Sequence, residues 1–348
     1  MEPFLIQESK TKPSASVFSE LVKKLAPVKG STDPFCCVAE ELQLVEQNLT
    51  RSIRSAERAL TDISSHLIYG GGKRIRPMVT LLAFKAFGGT RLPEIVDIAT
   101  AIELIHTATL LHDDIIDGAD IRRGKESAYK KFGLKATLVA GDFLFIKAFE
   151  FAGKFDETIV QWTADACTQL TEGEILQGFF NRNPAVKLEN YFEIVRRKTA
   201  SLFETGARIG AYLSGAKPAM VEQMGDYGLN LGIAFQIIDD VLDVVGHKEL
   251  LGKPTGMDLR DGNPSLPIIL ALGEGQKDVS ETFQCSRPTD EKIRAALAIM
   301  GQARAIDKAK MLSRGYAERA YKPLKSVPPS LYRTSLKNLL QLIIERDF

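Results

Sequence analysis

The chain has 348 residues, of which 45% are hydrophobic and 26% are charged, and its 45 Lys and Arg nearly balance its 44 Asp and Glu. This composition is typical of a globular protein with one large domain or two ordinary ones. The formal net charge of +1 argues against a general nucleic-acid-binding surface, so we expect no nucleic-acid partner. The four cysteines form no CxxC pair, which favours a reducing compartment over a disulfide scaffold.

The N-terminal residues contain an early acid and no sustained apolar core, so they predict neither a secretory signal nor an organellar presequence. No uninterrupted apolar run approaches the roughly 20 residues that span a bilayer, so we expect no transmembrane segment and a cytoplasmic location. Residues 1–32 contain Pro3, Pro13 and Pro27 and are predicted to form an extension that is mobile in part. A single domain is predicted over residues 33–348.

Helical periodicity recurs along almost the whole remaining chain, and the alternation typical of strands is nearly absent. We therefore predict an all-α fold, a single-domain helical bundle. Glycines break the pattern at residues 70–72 and 88–89, and two longer loops are expected at residues 248–265 and 273–286. The predicted helices are residues 35–65, 77–87, 93–117, 135–152, 157–180, 188–213, 218–245, 266–271 and 290–301, with further helices to the end of the chain.

Residues 101–123 begin as an apolar helical segment and end in aspartates and arginines. On an ideal helix, His106, Asp113 and Asp117 fall within about 40° of one another, with Asp114 beside them. A helix with so many apolar residues is expected to be buried. Carboxylates buried with it need cations or hydrogen-bond donors to offset the cost of desolvation. Carboxylates one turn apart can present the oxygen ligands that Mg²⁺ prefers.

The same spacing recurs in residues 232–245, where Asp239, Asp240 and Asp243 share one face of a second apolar helix with Gln236. A single DDxxD cluster is more often a solvated helix end than a metal site. Two matching clusters on two apolar helices are harder to explain in that way. Facing each other across a cavity, they would form a site for several divalent cations and a polyphosphate.

Basic side chains supply the other half of the predicted site. In GGGKRIRP, residues 70–77, glycines allow close backbone approach while Lys73 and Arg76 reach anion oxygens. An ordinary helix entry with proline in its first turn explains this segment equally well when it is taken alone. Arg122 and Arg123 follow the first aspartates, which favours pairing with these acids or contact with phosphate.

Together these segments resemble the trans-isoprenyl diphosphate synthase family, the farnesyl and polyprenyl diphosphate synthases. The resemblance runs from about residue 35 to the C-terminus and points to the long-chain subgroup that makes octaprenyl- or solanesyl-type chains. No single motif is specific for this family, but the whole set of motifs in this order is highly specific for it. The motifs are GGGKRIRP, HDDIIDGADIRRG, GDFLF, KTASLFETG, FQIIDDVLD, GKPTGMDLRDG and IIERD.

The resemblance implies an isoprenoid-synthase fold around a deep central cavity, working as a homodimer. It implies a prenyltransferase that condenses isopentenyl diphosphate onto an allylic diphosphate, such as farnesyl diphosphate, by repeated ionisation, condensation and elimination. The cofactor would be Mg²⁺, with three ions in each active site. The implied metal ligands are Asp113, Asp114, Asp117, Asp239, Asp240 and Asp243.

Substrate contacts follow from the same resemblance. Taken alone, Lys198 and Lys253 would suit a solvated surface, but the resemblance places them on the allylic diphosphate together with Arg122. Thr199 and Gln236 would stabilise the carbocation. Phe235 would lie beside the homoallylic substrate. The implied contacts to the diphosphate of isopentenyl diphosphate are Lys73, Arg76, His106 and Arg123.

Chain length is predicted from the two positions that precede the first aspartate by four and five residues, where short-chain relatives carry bulky aromatics. Here these are Thr109 and Ala108, so we expect an open channel and a product longer than geranylgeranyl. A helical wheel places only Thr109 on the face of Asp113, so the role of Ala108 rests on the family comparison. Phe149 and Phe151 are the candidates for the cavity floor.

Other functions remain open at this point. A class I terpene cyclase shares the chemistry, but it would normally carry one DDxxD motif and lack GGGKRIRP. A short-chain geranylgeranyl or farnesyl synthase, or a non-catalytic subunit of a heteromeric synthase, would be a closer alternative. A lysine common in the DLxxG loop of relatives is replaced by Asn263, which puts that diphosphate contact in doubt. Membrane contact during release of the oily product is a further option.

Overall fold

The computed structural model describes residues 36–246, 255–302 and 304–345. The predicted N-terminal extension over residues 1–32 and the predicted substrate contact Lys253 lie outside these residues. The described chain is helical almost throughout, which confirms the all-α prediction. Its helices are α1 Ala39–Ser52, α2 Arg58–Ile68, α3 Ile75–Ala86, α4 Leu92–Ile116, α5 Ala128–Phe132, α6 Leu134–Ala152, α7 Glu157–Phe180, α8 Leu188–Val195, α9 Ser201–Leu213, α10 Pro218–Val245, α11 Met257–Asp261, α12 Leu266–Gly273, α13 Lys277–Gln284, α14 Asp290–Gln302, α15 Ala305–Leu324 and α16 Leu331–Ile344.

The two helices that carry the aspartate clusters, α4 and α10, are the most deeply buried long helices of the described chain. Helix α4 packs along α6, α3 and α1, while α10 packs along α9 and α15. By length and composition α4 could cross a membrane, but 72% of its most apolar window is buried inside the bundle. Its apolar character is therefore accounted for by its place in the protein core.

Gly232 lets α10 approach the start of the neighbouring helix α9 closely. A Cβ atom on Gly232 of α10 would lie 2.6 Å from Cα of Ala200, the residue just before α9. Any larger residue would push α10 away from the segment that carries Lys198 and Thr199. The sequence near the second aspartate cluster therefore fixes the distance between two walls of the site.

Several helix boundaries differ from those that the sequence predicts. The predicted helix 35–65 is two helices, because the chain leaves the helix after Ile53 and the hydroxyls of Ser55 and Thr61 bind backbone N–H groups instead. The predicted helix 188–213 contains a five-residue π-helical turn, Arg196–Ala200. Both predicted long loops contain a short helix, α11 in the first and α13 in the second.

A two-stranded hairpin, which the sequence does not predict, follows the first aspartate cluster. Its strands β1, Ile121–Arg122, and β2, Lys125–Glu126, are antiparallel. The two turn residues both have positive φ, 53° at Arg123 and 74° at Gly124, as a type I′ hairpin turn requires. The hairpin carries Arg122 on β1 and Arg123 in its turn.

Candidate active site

One large cavity, of about 610 Å³, lies between the C-terminal halves of α4 and α10. Its lining residues come from α3, α4, the β1–β2 hairpin, α6, α7, α8, the π-helical turn, α10, α11 and the segment after α11. The cavity brings together most of the predicted site residues of the described chain. Those lining it are Arg76, His106, Thr109, Asp113, Asp117, Arg122, Arg123, Lys198, Thr199, Phe235, Gln236, Asp239 and Asp240.

Three aspartates from the two clusters, Asp113, Asp117 and Asp239, form what we call the acidic wall of the cavity. Asp113 and Asp117 line the cavity from α4, and Asp239 lines it from α10. Burial raises the pKa of Asp113 to about 6, and burial likewise raises the pKa of Asp117, in both cases against the attraction of Lys198. These carboxylates therefore have too little positive charge around them in the protein alone.

Two of the six predicted metal ligands, Asp114 and Asp243, bind other parts of the protein and do not line the cavity. The Oδ1 atom of Asp114 lies 2.6 Å from both Nε and Nη2 of Arg122, and its carboxylate is fully buried. Asp243 accepts the backbone N–H groups of Met257 and Asp258, at the start of α11, at 3.2 and 3.1 Å. Neither carboxylate lines the cavity, so a metal role for Asp114 and Asp243 stays a prediction that this geometry does not favour.

Among the described residues, no three His, Cys, Asp or Glu side chains lie close enough together to hold a metal ion by themselves. The donors of the acidic wall are nevertheless hard carboxylate oxygens, and burial has raised the pKa of Asp113. Mg²⁺ is usually held by one or two carboxylates together with waters and substrate phosphates rather than by a complete protein cage. The donor set of Asp113, Asp117 and Asp239 therefore fits ions whose coordination a diphosphate completes.

A cationic wall faces the cavity from α3, α4 and the hairpin. Burial lowers the pKa of Arg76 to about 10, and burial lowers the pKa of Arg123 to about 10 as well. Burial, together with the neighbouring arginines, also lowers the pKa of His106 well below its ordinary value, so its imidazole is neutral. Positive charge is thus concentrated beyond what the neighbouring acids neutralise, which makes this wall a site for an anion.

The glycine-rich segment before α3 is held in place by an arginine that does not line the cavity. Arg74 is buried, has a φ of 47° and donates to Glu103 at 2.7 Å, to Glu46 at 2.5 Å and to the carbonyl of Ile68 at 2.9 Å. Its neighbour Lys73 is half-buried and is absent from the cavity lining, so its predicted contact to substrate stays a prediction.

Arg123 joins the hairpin to the glycine-rich segment. Its Nη1 atom donates to the carbonyl of Gly71, and a longer bond of 3.4 Å reaches the carbonyl of Leu67. The guanidinium of Arg76, in the same wall, stacks 4.6 Å above the ring of Phe203. Phe203 in turn contacts the ring of Phe235, with centroids 5.6 Å apart. An aromatic surface therefore lies directly behind the cationic wall.

The π-helical turn carries Lys198 and Thr199 into the cavity. Such turns shift side chains out of the regular α-helical register, and they often occur at functional sites. The Lys198 ammonium contacts Glu174 and lies 4.0 Å from Oδ1 of Asp113. Burial lowers the pKa of Lys198, but Asp113 and Glu174 raise it by more, so the ammonium stays charged. Gly173 makes room for the turn, since a Cβ atom there would lie 2.7 Å from the backbone nitrogen of Lys198.

Of the two residues predicted to control chain length, Thr109 lines the cavity and Ala108 does not. Thr109 lines the cavity, and its hydroxyl donates to the carbonyl of His106 at 2.8 Å. Ala108 is fully buried in the core and lines no part of the cavity, so its role stays a prediction. Phe149 and Phe151 do not line the cavity either, whereas the apolar side chains of Leu110, Phe145 and Leu170 do.

Several residues of the site were not singled out from the sequence. Glu174 pairs with Lys198, and Tyr191 donates to Asp240 at 2.7 Å. Asp261 lies close enough to Asp117 and Asp243 that burial and these acids raise its pKa to about 6. Glu103 could have been found as the single acid in an otherwise apolar stretch of α4. Nothing in the local sequence marks Tyr191, because its partner is 49 residues away.

The comparisons with known proteins agree with this arrangement. The polyprenyl synthetase family model matches residues 57–300. The chain is 34% identical to octaprenyl diphosphate synthase of Haemophilus influenzae, covering 88% of this chain and 94% of that protein. It is 35% identical to geranylgeranyl diphosphate synthase of Methanosarcina mazei, covering 82% of this chain and 89% of that protein.

A solved structure has the same fold over nearly its whole length. The polyprenyl synthase of Caulobacter crescentus CB15, complexed with calcium and isoprenyl diphosphate, superposes with a TM-score of 0.88 at 33% identity. The match covers 92% of this chain and 99% of that one. Fold and site thus define an all-α enzyme that transfers prenyl groups. The chain belongs to the polyprenyl synthetase family and is a prenyl diphosphate synthase.

Proposed function

We propose that this synthase makes a long all-trans polyprenyl diphosphate by adding isopentenyl diphosphate repeatedly to an allylic diphosphate such as farnesyl diphosphate. The observation that carries the proposal is a single cavity lined by both acidic and basic side chains. Its lining includes the carboxylates of Asp113, Asp117 and Asp239 and the guanidinium groups of Arg76 and Arg123. Two diphosphates can therefore bind in one cavity at chemically different places.

The acidic wall binds the allylic diphosphate. Asp113, Asp117 and Asp239 would hold Mg²⁺, and Lys198 and Arg122 would contact the same diphosphate. Mg²⁺ held there would supply positive charge to the leaving diphosphate, which would lower the barrier to breaking its carbon–oxygen bond. The number of ions is expected to be three. Because Lys198 already lies between Glu174 and Asp113, a short movement of its ammonium would exchange a carboxylate for a diphosphate oxygen.

The cationic wall binds isopentenyl diphosphate. Arg76 and Arg123 supply charge, and the neutral imidazole of His106 supplies one N–H donor. Phe235, whose ring rests against Phe203, gives the hydrocarbon part of this substrate an apolar surface. The double bond of isopentenyl diphosphate then attacks the allylic cation. The proton that is lost goes to the departed diphosphate, since no side chain of the site is placed as a clear general base.

The small side chain of Thr109 supports the long product. Thr109 stands where short-chain relatives carry a bulky aromatic, and it lines the cavity next to Leu110, Phe145 and Leu170. The alternative is a short-chain geranylgeranyl or farnesyl synthase in which Phe145 stops the chain. The similarity to an octaprenyl synthase and to a geranylgeranyl synthase supports the two readings about equally, so the choice rests on Thr109.

We also propose that the enzyme is a homodimer located in the cytoplasm. Helix α6 exposes an apolar stripe, which a second copy of the chain would cover. The stripe consists of Leu134, Leu138, Val139, Ile146 and Phe149. A cytoplasmic location is supported by the four cysteines, which form no disulfide in the described chain. Val139→Asp should convert the dimer to a monomer in light scattering, whereas Met311→Asp, at another exposed apolar residue, should leave the dimer intact.

The proposed function is tested by incubating the purified protein with labelled isopentenyl diphosphate and farnesyl diphosphate, with Mg²⁺ or with EDTA. Label should move into elongated product only when Mg²⁺ is present, and Asp239→Asn should abolish that transfer. Elongation in EDTA would overturn the role of metal ions. No elongation by the wild-type protein under any condition would instead favour a non-catalytic subunit of a heteromeric synthase.

A further inference from the structure

Asp240 is engaged differently from the other aspartates that line the cavity. Its Oδ1 atom accepts from Nε2 of Gln236 at 2.8 Å, and its Oδ2 atom accepts from the Tyr191 hydroxyl at 2.7 Å. Oδ2 also accepts from the backbone N–H of Leu266 at 3.1 Å. Asp240 is 5% exposed and Tyr191 is 2% exposed. Three donors from three different elements thus hold this carboxylate in one orientation.

The fixed carboxylate determines which way the amide of Gln236 points. An ionised carboxylate can only accept hydrogen bonds, so the amide must turn its NH₂ group to Asp240. The amide oxygen then faces the other way, where it accepts from the hydroxyl of Thr199 at 2.9 Å. That hydroxyl has a single proton, and this bond uses it. One lone pair of the amide oxygen and the lone pairs of the hydroxyl oxygen are therefore left for whatever lies in the cavity.

This arrangement matters for a reaction that passes through an allylic cation. Gln236 and Thr199 both line the cavity. With the observed amide orientation they present electron-rich oxygens to positive carbon. With the amide turned over, the N–H groups of Gln236 would face the cation and its oxygen would face the Asp240 carboxylate, which is repulsive in both places. Asp240 therefore determines whether the amide of Gln236 presents its negative oxygen or its positive N–H groups to the reacting carbon.

We propose that Asp240 and Tyr191 are positioning residues that fix the amide of Gln236, so that Gln236 and Thr199 present only oxygen atoms to the allylic cation. This inference rests on the proposed function, and it removes Asp240 from the set of metal ligands. Both oxygens of Asp240 already have protein partners, and the carboxylate of Asp239 beside it serves the metal.

The experiment compares Asp240→Asn and Tyr191→Phe with the wild-type enzyme in full-length protein. An asparagine can both donate and accept, so it no longer forces the amide of Gln236 into one orientation. Removing the Tyr191 hydroxyl takes away one of the three donors that hold the carboxylate in its orientation. Each variant should lower kcat by about 10- to 100-fold, as losses of supporting hydrogen bonds commonly do, with KM for both substrates changed less than about threefold. A larger share of farnesyl diphosphate should also end as water-trapped alcohol.

Metal binding separates a positioning role from a ligand role. Calorimetric titration with Mg²⁺ in the presence of inorganic pyrophosphate should give wild-type affinity for Asp240→Asn. Asp239→Asn should bind more weakly. Tyr227→Phe is the matched control. Tyr227, on α10, is buried like Tyr191, and its hydroxyl donates to the carbonyl of Leu336 at 2.9 Å, outside the cavity. It should leave kcat and the alcohol fraction unchanged.

Several outcomes would overturn the inference. Equal loss of Mg²⁺ and pyrophosphate binding in Asp240→Asn and Asp239→Asn would make Asp240 a metal ligand. Wild-type kcat in Tyr191→Phe, or the same loss in Tyr227→Phe, would leave no specific positioning role. These results are distinct from failure of the proposed function, in which the wild-type protein itself elongates nothing.

Discussion

Arg122 places Nε and Nη2 each 2.6 Å from the same oxygen of Asp114, and the Asp114 carboxylate is fully buried. The middle aspartate of the first cluster is therefore neutralised by the protein itself, while Asp113 and Asp117 on either side face the cavity. The pair also ties the β1–β2 hairpin to α4, which directs the neighbouring Arg123 toward the glycine-rich segment. One ion pair thus orients parts of both walls.

Asp113→Ala should abolish turnover, because it removes a carboxylate of the acidic wall that has no strong structural partner. We expect kcat to fall by about 10³-fold or more, the scale of losing transition-state charge stabilisation. The variant should remain folded, as judged by circular dichroism and thermal denaturation. Undiminished turnover would refute the assignment of Asp113 to metal binding.

Asp114→Asn should behave in the opposite way with respect to stability. It breaks a buried ion pair and leaves Arg122 without its carboxylate, which should cost about 1–3 kcal/mol of folding free energy. Chemical denaturation of the metal-free protein measures this difference. A variant as stable as the wild type would mean that the Arg122 contact contributes little to holding the hairpin.

The pH dependence of stability should reveal the burial of Asp113. Its pKa in the folded, metal-free protein is raised by burial to about 6, above its ordinary value of 3.8. The folded state therefore holds this proton more tightly, and the stability that results is fully present below about pH 4 and lost as the pH rises through 6. Asp113→Asn should thus melt near the wild-type temperature at pH 4 and above it at pH 8.

This measurement is made in EDTA, so that metal ions do not bind the carboxylates. Mg²⁺ with pyrophosphate should then stabilise the wild-type protein more than Asp113→Asn. A difference in melting temperature that is the same at pH 4 and pH 8 would mean that Asp113 titrates normally.

Thr109→Phe should shorten the product, because Thr109 lines the cavity and a phenyl ring there would fill the space next to Leu110. The family resemblance predicts the same for Ala108→Phe. Since Ala108 is fully buried in the core, its replacement should also cost about 1–3 kcal/mol through overpacking. Sizing of the dephosphorylated products tests both variants. Wild-type product length in Thr109→Phe would refute the open-channel interpretation.

Glu103→Gln should raise KM for isopentenyl diphosphate about tenfold while KM for the allylic substrate changes little. Glu103 is buried and pairs with Arg74 at 2.7 Å, and Arg74 holds the segment that leads to Arg76. Glu41→Gln is the matched control, since it breaks a pair of the same length with Lys85 away from the cavity. Equal kinetic effects in both variants would argue against a specific role for Glu103.

Much of the site could be predicted from the sequence because its elements carry local signals. The helix bounds of α7 and α10 agree with the hydrophobic periodicity, and the helical wheel places Thr109, but not Ala108, on the face of Asp113. The two aspartate clusters are each visible within one helix. Their arrangement across a single cavity then followed from the apolar character of α4 and α10.

The rest depends on contacts between distant segments. The sequence shows six aspartates with equivalent spacing, but only the folded chain shows that Asp114 pairs with Arg122 and that Asp243 binds the start of α11. The π-helical turn depends on Gly173 of the neighbouring helix α7, so periodicity alone could not reveal it. Phe149 and Phe151 do not line this cavity, whereas Phe145 does, so the predicted floor stays a prediction.

Product length is the most direct test of the proposed function. The purified protein is incubated with Mg²⁺, labelled isopentenyl diphosphate and farnesyl diphosphate, and the dephosphorylated alcohols are separated by size. We predict a ladder that ends well beyond geranylgeraniol, because Thr109 leaves the apolar end of the cavity open. A product that stops at farnesol or geranylgeraniol would contradict the long-chain assignment while leaving the enzyme class intact.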